Sequence, residues 1–104
     1  MKDQFLAAIH GRNKIRLRFY SKEDSGELVR LCAPMDFGPS RRPGVAPDDR
    51  YHLWDYESDQ RNHTLSLKPE QVAAMAVLED QFDPADFVTW PTNWFVPRQW
   101  GRFS

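Results

Sequence analysis

The arginines of the first predicted β-hairpin are the residues whose types and spacing best indicate chemistry. Arg16, Arg18 and Tyr20 occupy alternate positions of one predicted strand, so all three should share a face. Arg30 alternates with apolar residues in the next predicted strand, and we expect it to join them. Arginine binds phosphate through a planar fork of donors, and an aromatic ring offers a base a stacking surface. This face therefore predicts a nucleotide or single-stranded nucleic acid as ligand. A solvated face with arginines paired to acids is the alternative.

Residues outside this hairpin are candidates for the same ligand. His52 and Trp54 alternate along an aromatic strand and would form a platform for a base at its rim. The alternative is that a loop or the aromatic C-terminal stretch covers them. Arg61, His63 and Lys68 follow in the next turn and strand, and each could assist phosphate binding or simply be solvated.

Catalytic and metal chemistry have little support in the sequence. Cys32 has no nucleophile motif around it, and a small buried hydrophobe is its expected role. The histidines, His10, His52 and His63, match no ligand spacing of a metal site. We therefore expect no enzyme activity, no metal and no cofactor.

Aromatic residues crowd the C-terminal stretch. Trp90, Trp94, Phe95, Trp100 and Phe103 follow no regular period, and two arginines interleave with them. So large an apolar surface should be buried, either as a lid over the chain's own domain or at an interface with a partner or a second copy. The sequence leaves both alternatives open.

The first half of the chain predicts a short helix and a hairpin. Apolar spacing favours a helix over residues 3–10. Alternation predicts strands over 14–20 and 27–33, with the odd-numbered apolar residues of both strands facing inward. Pro34 should end regular pairing because it has no N–H to donate. Residues 35–49 then predict a long loop.

The second half predicts a second hairpin and a short final element. Strands are expected over 51–57 and 63–68, followed by a tight turn or a single helical turn over 69–72. The apolar run 73–78 is compatible with a strand or a helix. Residues 83–87 predict a turn or a short capped helix.

These elements predict a mainly β fold. Five short strands usually close into a partly open barrel, since closure removes most exposed edges. We expect this barrel, with its short N-terminal helix, over residues 1–82. An irregular aromatic tail over 83–104 would pack on the barrel or on a partner.

Composition limits the class of protein. The chain has 104 residues with a net charge of −1, and 40% of them are hydrophobic. Such a content excludes a wholly disordered chain, and the near-neutral charge argues against non-specific coating of nucleic acid. No apolar run reaches the length of a membrane span. The single cysteine excludes an intrachain disulfide. We expect a cytoplasmic domain with no membrane partner.

The order of these signals resembles the WYL domain family. The corresponding segments are Ala8-Ile9, the strand ending at Phe19-Tyr20, Gly26, Arg30 to Pro34, Tyr51-His52-Leu53-Trp54, Arg61, and Leu65 to Val72. The resemblance covers about residues 5–82. It departs from the family in the naming tripeptide, which is Tyr51-His52-Leu53, and in Gln71, where the family has an arginine.

The WYL resemblance implies a small Sm-like barrel that senses a nucleotide or oligonucleotide. Family members usually follow a DNA-binding helix-turn-helix, and the roughly 13 residues before the first strand cannot form one. We therefore expect a standalone, non-enzymatic ligand-sensing or regulatory module. The alternative is a protein-interaction module that docks through its aromatic tail and binds no small ligand.

Overall fold

One N-terminal helix and a five-stranded antiparallel sheet form the fold, in a computed structural model that describes residues 1–59 and 61–104. The elements are α1 (Lys2–Gly11), β1 (Asn13–Ser21), β2 (Gly26–Gly38), β3 (Arg50–Asp55), β4 (Thr64–Leu67) and β5 (Val72–Gln81). Single 3-10 turns lie at Pro69–Gln71, Pro84–Asp86 and Gly101–Phe103. None of the helices in the described ranges is long and apolar enough to cross a membrane.

The sheet has the order β4-β3-β2-β1-β5 and is not closed. Each strand pairs antiparallel with its neighbour. The edge strands β4 and β5 are joined through the 3-10 turn Pro69–Gln71. The prediction of a mainly β, partly open barrel with a short leading helix is confirmed.

Alternation in β1 and helical spacing in α1 build the core together. Ile15, Leu17 and Phe19 are buried along one face of β1, while the residues between them are exposed. Phe5 and Ile9 of α1 are fully buried and belong to the same core. The helix ends at Gly11 and is capped by Arg12, which adopts the left-handed conformation (φ 55°) and donates its N–H to carbonyls of the last turn.

Where it pairs with β1, the second strand faces the other way from our prediction, although Ala33 is fully buried as we expected. We expected Val29, Leu31 and Ala33 to point inward with the apolar residues of β1. Instead Leu17 lies opposite Arg30 and Val29 is 49% exposed. Directly opposed residues of two strands share a face of the sheet. Leu28, Arg30 and Cys32, which lie opposite the buried residues of β1, therefore point inward. The turn over residues 22–25 sets this register, and a shift by one residue reverses every side chain.

Pro34 does not end β2, contrary to our prediction. The strand continues to Gly38, so the loop that follows covers only residues 39–49. Pairing with β1 ends at Cys32, and beyond it β2 pairs only with β3. A proline without an N–H is tolerated at such a one-sided position. The register shifts between Pro34 and Asp36, which marks a β-bulge.

The remaining elements follow the prediction with different bounds. Strand β3 begins one residue earlier and ends two residues earlier than the predicted 51–57, and β4 is one residue shorter at each end than the predicted 63–68. The turn after β4 is a single 3-10 turn, and the ambiguous run 73–78 lies within strand β5. Asp83 caps the next 3-10 turn by accepting a hydrogen bond from Ala85 N–H at 3.0 Å.

The aromatic tail packs on the chain's own sheet and helix. Trp100 is 3% exposed and its Nε1–H donates to Ile9 O at 2.8 Å. Trp94 is half-buried and donates through Nε1–H to the carbonyl of Phe103, also half-buried, at 2.8 Å. Trp90 and Phe95 remain 43% exposed. The tail therefore covers the domain, with two of its aromatic rings still accessible.

Candidate anion-binding cleft

An open cleft of about 1050 Å³ runs between loop 39–49, strands β3 and β4, and the start of the tail. The ligand residues predicted from the sequence divide between this cleft and other surfaces. Those that line it are Tyr20, Arg30, His52 and Lys68. Those that lie elsewhere are Arg16, Arg18, Arg61 and His63.

Arg30 does not join the arginine face of β1, which corrects our prediction. It lies opposite Leu17 and therefore faces inward. Its Nε lies 3.3 Å from Oδ2 of Asp55, a carboxylate that is only 4% exposed. An inward arginine beside a buried acid mainly neutralises that acid, since a lone buried charge is costly.

Arg16, Arg18 and Tyr20 share the outward face of β1, as alternation predicts. All three are exposed. Arg18 forms a solvent-exposed ion pair with Glu27 at 3.6 Å. Arg16 forms no ion pair within residues 1–59 and 61–104. Only Tyr20, at the end of the strand, reaches the cleft.

The expected base platform of His52 and Trp54 is not available. The Trp54 ring stacks on His63 at 4.9 Å between centroids and on Phe87 at 5.7 Å. His63 is held by a 2.7 Å hydrogen bond from Nδ1 to Asp55 O. Trp54 is therefore covered by ring contacts within the protein. The cover comes from Phe87, which precedes the Trp90 segment that we expected to supply it.

Phe95 is the centre of a compact group of residues at the tail end of the cleft. Its ring lies so close to Gly38 that a Cβ there would be 2.6 Å from Phe95 Cδ2. The Arg41 guanidinium lies over the same ring, 3.9 Å from its centroid. Arg41 also donates a hydrogen bond through Nη2 to the carbonyl of Asn93. Gly38 thus lets the tail approach β2 closely, and Arg41 ties the loop to the tail.

Two basic side chains of β3 border this group. Arg50 is paired with Gly38 across the β2–β3 ladder, and its buried Nε has no hydrogen-bond partner within the part of the chain that the structure describes. His52 is held through Nε2 by Gly38 O at 2.8 Å. A carbonyl only accepts, so Nε2 carries the proton and Nδ1 faces away from this bond. We name Arg41, Arg50, His52 and Phe95 the Phe95 cluster.

Strand β4 adds polar groups beside the cluster. Ser66 is paired with His52, and Leu67 is paired with Tyr51. Lys68 follows Leu67 directly, so continuation of the register brings it next to Arg50. Both Ser66 and Lys68 line the cleft. The predicted residues His52 and Lys68 are therefore brought together with cations that the sequence reasoning missed.

A buried carboxylate holds the tail in the position that forms the cleft. Asp36 accepts hydrogen bonds from the N–H groups of Phe95 and Val96, each at 3.0 Å. It also pairs with Arg98 at 3.2 Å. The Arg98 guanidinium lies 4.1 Å from the Trp94 centroid and 4.4 Å from that of Trp100. Burial lowers the pKa of Arg98 to about 10, partly opposed by Asp36, so Arg98 is charged at neutral pH.

Arg41 and Arg50 were missed because they lie at a loop and at a strand start. The sequence marks Arg41 only as part of an Arg-Arg pair among prolines, and Arg50 only as the residue before an aromatic strand. Neither position has a period that reveals what it faces. Gly38, directly before the loop, is the single residue whose type hints at a close approach.

The Cys32 thiol, a potentially reactive group, lies inside the core. Cys32 is fully buried, and burial, followed by Asp55 and Glu57, raises the pKa of its thiol. It therefore stays protonated and inaccessible at neutral pH. Within the part of the chain that the structure describes, no three His, Cys, Asp or Glu side chains group as metal ligands would.

No protein-family model matches the chain, and neither a curated protein nor a solved structure shows significant similarity to it.

Proposed function

We propose that the cleft binds a phosphate-bearing ligand, either a nucleotide or a single-stranded nucleic acid, and that the chain is a non-enzymatic sensing or regulatory module. The observation that carries this proposal is the Arg50 guanidinium. Its Nε is buried in a residue that lines the cleft, and it has no hydrogen-bond partner among residues 1–59 and 61–104. A buried charged donor without a partner is costly, and an anion in the cleft would satisfy it.

The charge distribution supports an anion at the tail end of the cleft. Arg41, Arg42, Arg50 and Lys68 line it there. Asp36, the buried acid at this end, is already neutralised by Arg98. The exposed acids of the lining lie instead in the β1–β2 turn and after β3, at positions 23, 24 and 59. A phosphate would therefore meet, near Phe95, cations that have no acidic partner among residues 1–59 and 61–104.

The aromatic residues support a ligand that carries a base. Trp90 and Phe95 are each 43% exposed and both line the cleft. Stacking on such a ring contributes about 1–3 kcal/mol per base and tolerates any base. Basic groups beside exposed rings suit single-stranded nucleic acid better than inorganic phosphate.

The resemblance to the WYL family supports the same ligand class. The helix, the five strands and the turn before β5 occur in the order that the family pattern implies. The buried thiol of Cys32 supports a role without nucleophilic catalysis. Both points are compatible with a sensor and specify no particular nucleotide.

A second candidate function is protein recognition through the tail. It is favoured by the exposure of Trp90 and Phe95, since exposed aromatics next to arginine are typical of interfaces. The buried Trp100 belongs to the domain core in this case as well. A partner would then use only the two accessible rings.

A titration of a fluorescent single-stranded DNA oligonucleotide tests the proposal. With three phosphate contacts, affinity should fall about tenfold between about 50 and about 150 mM salt. Arg50→Gln should weaken binding several-fold and reduce the salt slope by about 0.7. The matched control is Arg16→Gln, an exposed arginine outside the cleft, which should bind as the unchanged protein does.

Two outcomes would overturn the assignment of the cleft. Equal loss of binding in Arg16→Gln and Arg50→Gln would mean non-specific attraction to any basic surface. Absence of binding at about 100 μM protein, even at low salt, would exclude a nucleic-acid site of ordinary strength. The tail-mediated protein interaction would then be the better candidate.

A further inference from the structure

Strand β5 presents an unprotected edge. It ends the sheet, and β1 is its only strand neighbour among the described residues. The free side of such a strand exposes a row of N–H and C=O groups that can pair with another chain. Residues 73–78 contain neither a proline nor a charged residue, and the first charges follow at Glu79 and Asp80. Over residues 73–78 this edge therefore carries no proline and no charged side chain of the kind that usually blocks strand addition.

The side chains on β5 differ between its two faces. The ladder with β1 is regular from the pair Ile15–Val77 to the pair Arg18–Ala74, with irregularities on either side. Ala74 and Ala76 lie opposite Arg18 and Arg16 and therefore face outward with them. Met75 and Val77 face the other way, and Val77 is 40% exposed.

The outward face carries positive charge that is largely unpaired among the described residues. Arg16 has no ion pair in the described ranges, and Arg18 meets Glu27 only at 3.6 Å with both side chains about half exposed. Neighbouring strands are about 4.8 Å apart. A strand added to β5 would lie about 10 Å from β1, with only alanine side chains in between. Long acidic side chains on it could therefore reach both arginines.

We propose that the β5 edge accepts an extended segment of a partner protein in which acidic residues alternate with apolar ones. The segment would add a sixth strand through main-chain hydrogen bonds. Its acidic side chains would lie over Ala74 and Ala76 and pair with Arg18 and Arg16. Its apolar side chains would pack beside Val77 on the other face. All five of these residues lie outside the cleft lining, so this surface is independent of the proposed ligand site.

Charge complementarity favours a foreign segment over a second copy of this chain. The other edge strand, β4, consists of Thr64-Leu65-Ser66-Leu67 and offers no acid. A second β5 paired symmetrically about Met75 would place Ala74 next to Ala76, with its acids Glu79 and Asp80 beyond these positions, and so would leave Arg16 and Arg18 without an acid opposite them. An acidic strand from another protein satisfies them.

Fluorescence anisotropy with two synthetic peptides tests this inference. The probe is a fluorescein-labelled peptide of alternating Glu and Val, and its counterpart replaces every Glu with Lys. We expect saturable binding of the Glu–Val peptide alone. The double variant Arg16→Glu with Arg18→Glu should lose at least tenfold in affinity. The matched control, Arg61→Glu with Arg102→Glu, reverses two exposed arginines elsewhere and should bind within twofold of the unchanged protein.

Hydrogen exchange of the β5 amides identifies the mode of binding. The Glu–Val peptide should protect amides of residues 73–78. Binding without such protection, or equal binding of the Lys–Val peptide, would overturn the proposal, as would no binding at millimolar peptide. Concentration-dependent protection without peptide would make a second copy the occupant and overturn it too. If charge reversal unfolds the protein, Arg16→Gln with Arg18→Gln gives the same comparison.

Discussion

Replacement of Asp36 by asparagine is the most informative perturbation of this structure. Asp36 is 5% exposed and Arg98 is 8% exposed, so solvent cannot replace either partner. The asparagine side chain would keep the shape of the aspartate and one oxygen that accepts hydrogen bonds, but it would carry no charge. Arg98, with a pKa lowered only to about 10, would remain a buried cation without a counter-ion. Loss of one partner of a buried ion pair costs about 3–5 kcal/mol.

The expected loss is a large fraction of the stability of such a domain. Domains of this size have a free energy of unfolding of about 5–15 kcal/mol. A loss of 1 kcal/mol in stability lowers Tm by about 4–8 °C in a domain of this size. A loss of at least about 3 kcal/mol in Asp36→Asn should therefore lower Tm by at least about 12 °C. Urea unfolding followed by circular dichroism measures the free energy directly. Asp49→Asn, an exposed carboxylate in the loop, is the control and should stay within about 0.5 kcal/mol.

A double variant separates the ion pair from the other contacts of Asp36. Asp36→Asn combined with Arg98→Met removes both charges and leaves an apolar side chain between the tryptophans. It should be more stable than Asp36→Asn alone by at least about 1 kcal/mol. A loss below about 1 kcal/mol in Asp36→Asn would refute the reasoning. The reasoning would also be refuted if the double variant lost as much stability as Asp36→Asn and Arg98→Met lose separately, added together.

Three further outcomes follow from individual side chains. Burial raises the pKa of the Tyr51 phenol, so above a pH of about 10 the unfolded chain releases a proton that the folded chain keeps, and stability falls as pH rises. Tyr51→Phe removes this titration and should raise the pH midpoint of alkaline unfolding, measured by circular dichroism. Cys32 is fully buried, so a thiol reagent should label it only as fast as the protein unfolds, and fast labelling of the native protein would contradict the packing. Gly38→Ala should lower the free energy of unfolding by about 1–3 kcal/mol and weaken oligonucleotide binding, because the added Cβ would lie 2.6 Å from Phe95 Cδ2. An unchanged midpoint of urea unfolding would argue against that contact.

Much of the fold could be predicted because alternation is a local signal. The burial pattern of β1 follows directly from the residue order from Ile15 to Phe19. The inward face of β2 could not be predicted the same way, because apolar residues occur on both sides of Arg30. The four-residue turn decided the register. The effect of Pro34 could not be predicted from the sequence. A proline is tolerated within β2 only beyond the point where pairing with β1 ends, and that point is a property of the assembled sheet.

The candidate site was less predictable than the fold. His52 and Lys68 were found by alternation, whereas Arg41 and Arg50 are placed by a loop and by the docking of the tail. The face of Arg16 and Arg18 was predicted correctly, yet it lies away from the cleft. Long-range contacts between the tail and β2 bring the site together, and no local pattern encodes them.

The docked tail also has a consequence for the order of folding. The bond from Trp100 to Ile9 joins residues 91 positions apart, and the pair of Asp36 and Arg98 spans 62 positions. Closing such long loops costs chain entropy before any contact forms. The hairpins of the sheet close far shorter loops, so they should form early and the tail should dock last. Contacts that form last contribute mainly to the unfolding rate, and the tail should therefore determine how long the native state persists.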